Sequence, residues 1–260
     1  MVEMILRNGA GEALEQCDHE KRVHMVVKGE YAEGARISVK CESKHLWFQV
    51  DQAVAPALLY VPQGVFDYDI PQGEALLAYP PQAFRGDTHL IRAWLPETEE
   101  VTRRRNLACN PADQRRSVTA YPHIEANVET RGESVFAVRN VIDGYTENIS
   151  HGEWPYQSWG IEVSTDACCK LDFGRMVRVD EMKLVLRADF PHDAYWEKAT
   201  VVLSDGEEIC FELKHTGEPQ TIDLGEHTVS WMRLEKLIKA KDDPSPFPSL
   251  SEWEVYGVEL

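Results

Sequence analysis

Two short stretches of the chain crowd together side chains able to grip a hydroxylated ligand. The first, Arg187-Ala-Asp-Phe-Pro-His-Asp-Ala-Tyr-Trp196, sets Arg187, Asp189, His192, Asp193, Tyr195 and Trp196 within ten residues. The second spans 151–159 and holds His151, Trp154, Tyr156 and Trp159. A sugar presents an apolar C–H face and a ring of hydroxyls, so its receptor needs an aromatic plane beside directional donors and acceptors. Arg187 and Asp189 would read adjacent hydroxyls as donor and acceptor, with Trp154 or Trp196 beneath the apolar face. His151, Tyr156 and His192 complete the expected ligand-binding set. Pro155 and Pro191 would stiffen the two loops. Trp154, Trp159 and Trp196 fit equally as core residues, because tryptophan is buried on average. Glu129-Thr-Arg-Gly-Glu133 either joins the same rim or forms a structural salt bridge.

Reaction motifs are missing. The chain has no Gly-x-Ser-x-Gly elbow, no His-Glu-x-x-His, no phosphate loop and no dinucleotide fingerprint. A glycosidase needs only two carboxylates, and nothing in this acidic chain singles out a pair. The expected role is therefore non-catalytic carbohydrate binding. Two alternatives stay open: a protein–protein interaction module using the same loops, and a glycoside hydrolase with its site at a domain interface.

The elements that must position these loops read as strands. Ile37, Val39 and Cys41 alternate with polar residues, as do Leu46, Phe48 and Val50. The same period-two pattern recurs at Met182, Leu184 and Leu186 and at Ile209, Phe211 and Leu213, which marks half-buried antiparallel strands. Pro62-Gln-Gly64, Pro71-Gln-Gly73 and Pro80-Pro81 punctuate them, and Ser204-Asp-Gly206 predicts a hairpin turn. The one helix candidate of any length covers 11–23. The expected class is all-β, two sandwiches, with domains at 1–112 and 113–260. The border is placed at the polar Asn110-Pro-Ala-Asp-Gln-Arg-Arg116. Arg103, Arg104, Arg105, Arg115 and Arg116 gather around it, either to bind an anion or to pair with carboxylates of the neighbouring domain.

Composition narrows the partners. The 260 residues carry a formal charge of -17, which argues against nucleic acid and anionic membrane. No apolar run approaches the ~18 residues of a membrane span. The N-terminal residues lack a signal-peptide pattern, so a cytoplasmic location is expected. The six cysteines are scattered, with no metal-binding spacing, and are read as buried hydrophobes in a reducing compartment.

From about 116 to 260 the sequence resembles the discoidin family, the coagulation factor 5/8 C-terminal-type domain, whose galactose-binding-like jelly roll also carries many carbohydrate modules. The residues stand in the family's order: Ala126-Asn127, Asn140-Val-Ile-Asp-Gly144, Trp159, Leu171-Asp-Phe-Gly174, Val202-Leu-Ser-Asp-Gly206 and Ser251-Glu-Trp-Glu-Val-Tyr-Gly257. The resemblance implies a ligand-binding sandwich with a structural calcium where the chain ends meet. Asp143, Thr146 and Glu252 occupy the implied positions, with Glu254 an alternative to Glu252. The other reading of Asp143 is a turn cap with no metal. The long stretch 145–158 and the stretch 187–196 depart from common members, so no particular sugar is implied. Residues 1–110 match no family and read as a smaller sandwich of immunoglobulin-like type.

Overall fold

The computed structural model describes residues 1–115, 119–188, 194–241 and 245–260. It is all-β, with one five-residue α-helix, α1 (Thr98–Thr102), and short 3-10 turns.

The N-terminal domain is a sandwich of two four-stranded antiparallel sheets. One contains β1 (Val2–Arg7), β2 (Ala13–His19), β4 (Arg36–Cys41) and β7 (Val65–Asp69) in the order β2-β1-β4-β7. The other contains β3 (Arg22–Lys28), β5 (His45–Gln49), β6 (Ala57–Tyr60) and β8 (Thr88–Trp94) in the order β3-β8-β5-β6. Alternate residues such as Met4, Met25, Ile37, Phe48 and Ile91 face one shared core, as the period-two pattern requires. The helix expected over 11–23 is instead β2, a turn and the start of β3. Almost every β2 residue is exposed or half-exposed. Without an apolar stripe there is no face for a helix to bury, whereas a charged strand suits a sheet edge.

The C-terminal domain is built from eight strands, β9 (Arg105–Asn106), β10 (His123–Ala126), β11 (Trp159–Gly160), β12 (Cys169–Leu186), β13 (Trp196–Leu203), β14 (Glu208–Glu212), β15 (Gln220–Lys239) and β16 (Ser249–Glu259). Their order is β11-β16-β12-β15-β13-β14, with β10 on β12 and β9 on β16. The long strands β12 and β15 change register between Asp172 and Val177. On one side of this bend they pair with β10 and β13; on the other β12 pairs with β16. Leu171 and Phe173 from the first half share a core with Met182, Leu184 and Trp253 from the second. The single bonded sheet thus folds over itself into a second sandwich. Gly174 makes the bend possible: its φ is +68°, and a Cβ there would meet the Tyr121 ring at 2.4 Å. The expected 204–206 hairpin is present, with Gly206 donating to Leu203.

Arg105, Leu107 and Ala108 already belong to the C-terminal sheet and core, while Ala112 and Ala120 pack on the N-terminal core. The border expected at 112/113 therefore falls within a segment shared by both sandwiches. Other contacts weld them. Tyr60 and Tyr121 exchange backbone hydrogen bonds of 2.8 and 2.9 Å. Glu259 pairs with Arg105, Arg175 and, at 3.5 Å, His45. Burial works against its charge, but hydrogen bonds from Arg175 and His45 and the charges of Arg175 and Arg105 hold the Glu259 carboxyl well below the usual range. Arg104 and Arg105 so meet carboxylates of the C-terminal domain, the pairing alternative raised for this cluster. All six cysteines are free. No helix among the described residues is long and apolar enough to cross a membrane.

Candidate functional site

A cavity of about 150 Å³ opens at one end of the C-terminal sandwich. Three strands frame it. Arg187 follows the last residue of β12, and its N–H donates to the Ser249 carbonyl at 2.9 Å. Ser249 begins β16 and pairs with Gly160 of β11. A Cβ on Gly160 would lie 2.5 Å from Thr130 Oγ1, so glycine is what lets this wall close. Thr130, Arg131 and Phe136 form the opposite wall, and Phe247 and His151 complete the lining.

The polar centre is Arg187, only 3% exposed. Its Nη2 lies 2.9 Å from His151 Nδ1. A guanidinium can only donate, so Nδ1 is the acceptor in this contact. The imidazole is held between rings, parallel to Phe136 at 6.2 Å and edge-on to Tyr156 at 5.9 Å. Tyr156 also lies 6.0 Å from the Arg187 guanidinium, which extends the stack behind the cavity. Phe247 is 49% exposed at the mouth. Arg131 is held by Glu133 at 2.6 and 2.7 Å and sits over Phe136, which is the salt-bridge alternative for 129–133 at a position that also lines the rim. The arrangement offers a charged donor fork, an imidazole and two phenyl rings, without a carboxylate among the described lining residues.

Of the seven expected ligand residues, His151 and Arg187 line this cavity and Tyr156 supports them. Trp154 is half-buried and packs edge-on against Tyr145 at 5.3 Å, outside the lining. Trp196 is a correction: at 1% exposure it lies in the core, tilted against Trp159 at 6.4 Å, and no sugar can reach its face. Its position as the first residue of β13 turns it inward. Asp189 and His192 lie outside the described residues. Phe136, Phe247 and Ser249 were not singled out by sequence reasoning. Phe247 stands between two prolines in a polar stretch, a signal that the period-two search passes over.

The second site is the pair Asp143 and Glu252, both fully buried in the C-terminal domain. Asp143 accepts from the Tyr145 N–H at 3.1 Å, the turn-cap bond of the alternative reading. Glu252 Oε2 accepts from the Gly144 N–H at 3.2 Å, while Oε1 has no hydrogen-bond partner among the described residues. Burial drives both acids up, and Asp143 pushes Glu252 further. Arg139, 3.8 Å from Asp143, pulls the other way. Two buried carboxylates and an orphaned oxygen fit a hard cation. Thr146 is half-buried beside them in sequence. No group of three His, Cys, Asp or Glu residues among the described residues is arranged for a metal, so backbone carbonyls would have to complete the oxygen set.

No protein-family model matches the chain, and no curated protein matches it. Solved structures do resemble it. Chitosan-binding module 1 of a Paenibacillus sp. IK-5 chitosanase/glucanase is 18% identical, with a TM-score of 0.41, covering 59% of this chain and 99% of the module. The lectin domain of lectinolysin, complexed with Lewis B antigen, is 16% identical, with a TM-score of 0.42, covering 58% and 95%. The family 32 carbohydrate-binding module of C. perfringens NanJ, in complex with galactose, is 15% identical, with a TM-score of 0.39, covering 51% and 91%.

Proposed function

We propose that the protein binds carbohydrate without transforming it, and that the cavity around Arg187 and His151 holds one sugar ring. The observation that carries this reading is the buried Arg187, hydrogen-bonded to the exposed His151, beside Phe136 and Phe247 in an open hollow. Arg187 would donate to vicinal hydroxyls, and Phe247 would cover the apolar C–H face. A concave site suits a small polar ring better than the flat surface of a protein partner. The described lining supplies no carboxylate pair for glycoside hydrolysis. The named ligands of the similar modules, chitosan, Lewis B antigen and galactose, are in keeping with this chemistry.

A calcium ion held by Asp143 and Glu252 is proposed as a structural support. It would neutralise two buried acids and tie residue 143 to β16, which also supplies Ser249 to the cavity.

The test is a glycan-array screen of the full chain, followed by titration calorimetry of the best sugar against wild type and Arg187→Ala. Loss of one desolvated partner costs about 1–3 kcal/mol, or about 5- to 150-fold in affinity. Equal affinity in Arg187→Ala, with an unchanged melt, would remove the cavity as the site.

A further inference from the structure

We propose that the carbohydrate site has two parts, and that the groove between the two domains takes the sugar residues following the one held beside Arg187. This rests on the carbohydrate reading above and extends it to the N-terminal domain.

Residues 130–137 form a ridge with a hollow on each side. Thr130, Arg131 and Phe136 line the Arg187 cavity, and Gly132, Ser134 and Ala137 line the interdomain groove. The groove measures about 370 Å³ against about 150 Å³ for the cavity, a ratio of about 2.5 (370/150). If the cavity takes one ring, the groove has room for two.

Both banks are fixed before any ligand arrives. Ser134 donates to Glu74 from its backbone N–H at 2.7 Å and from its hydroxyl at 2.8 Å. Arg139 reaches under the groove to the carbonyls of Ala78, Pro111 and Asp113 at 3.1, 2.7 and 3.1 Å. Such a groove loses little freedom on binding, which favours affinity. On top of the ridge, the exposed Arg131–Glu133 pair presents donors and acceptors side by side, where a chain leaving the cavity must pass.

The lining decides the class of glycan. Its walls mix apolar Ile70, Ala75 and Tyr79 with the carboxylates of Asp69 and Glu74. Its two lining cations are engaged, Arg115 with Glu129 and Arg139 with the carbonyls beneath, while Asp69 is paired with Arg36 and Glu74 has Ser134 as its donor. In a protein of charge -17 such a groove repels carboxylated or sulfated sugars. The ligand is therefore an oligosaccharide of neutral or amino sugars, read from its terminal residue inward.

The experiment uses the full chain on an array of neutral, amino and uronic-acid glycans of one to six residues. Ala75 is exposed, so Ala75→Trp plugs the groove without touching either core. Wild type should bind neutral or amino trisaccharides and longer chains about tenfold more tightly than the matching monosaccharide. Ala75→Trp should lose this gain while holding monosaccharide as wild type does, and Arg187→Ala should lose both. The double variant Asp69→Asn, Glu74→Gln serves as a second probe should the tryptophan disturb folding, checked by thermal melting. Length-independent binding by wild type, or an unchanged gain in a folded groove variant, overturns the bipartite site while the cavity stands. Preference for uronic-acid glycans overturns the assigned class. Failure of wild type to bind any glycan overturns the carbohydrate reading and this one together.

Discussion

Arg139 offers the sharpest test of how the two sandwiches are joined. Its guanidinium is almost wholly buried, 8% exposed. It donates to three backbone carbonyls and to Asn140 Oδ1, at 2.7–3.2 Å. It also lies 4.6 Å from the Tyr79 ring and 3.8 Å from Asp143. Arg139→Ala removes all of this and leaves buried carbonyls without donors. Each orphaned acceptor costs about 1–3 kcal/mol, and breaking a buried charge network costs about 3–5 kcal/mol in total. These terms overlap, so the expected loss is about 3–5 kcal/mol, or a fall of about 6–20 °C in Tm. Arg139→Lys keeps the charge but not the planar fork, and should lose about half as much. Differential scanning calorimetry with urea titration reads both numbers. Because Ala78 belongs to the N-terminal domain, Arg139→Ala should also split one calorimetric transition into two. A loss below about 1 kcal/mol with a single transition would refute the view that this side chain staples the domains.

Other perturbations follow from the same contacts. Gly174→Ala must place a methyl at positive φ and against the Tyr121 ring, so chemical denaturation should show a loss of about 2–4 kcal/mol; a neutral result would mean the bend is free to move. Burial of His123 opposes its charge, but the 2.8 Å bond to Asp113 outweighs that and raises its pKa above 6.5. Its contribution is complete below the unfolded value and drains away as pH rises through the folded value. Urea midpoints measured from pH 6 upward should therefore fall for wild type more than for His123→Gln, and parallel curves would contradict this. Added calcium should raise the melting temperature and chelator lower it, with Glu252→Gln insensitive to both; a wild-type melt indifferent to either would remove the cation.

The architecture was readable where side chains alternate. Ile37, Phe48, Met182 and Leu184 face cores because a strand turns alternate residues to opposite sides. The stretch 11–23 was not readable, since an edge strand that buries almost nothing has no pattern to display. The candidate cavity was legible in part. His151 and Arg187 stand out as polar groups among aromatics, and they do meet across 36 residues of sequence. Trp196 misled because tryptophan serves cores and binding faces alike, and only the register of β13 separates them. Phe136 and Gly160 carry no signal of their own. Their role arises from β11 lying beside β16, a pairing between residues about 90 positions apart that no local motif encodes.

The place of β16 in the C-terminal sheet bears on the order in which the chain matures. This strand lies between β11 and β12 and buries Trp253 completely. The N-terminal sandwich has all its strands by Trp94, so on a ribosome it can close while the rest is still being made. The C-terminal sandwich cannot: until residues 249–259 emerge, β12 lacks a neighbour, β9 has nothing to pair with and the cavity has no Ser249 wall. A chain made only as far as β15 therefore carries a complete first set of strands beside an open apolar cleft, and the cavity around Arg187 closes only once β16 is in place.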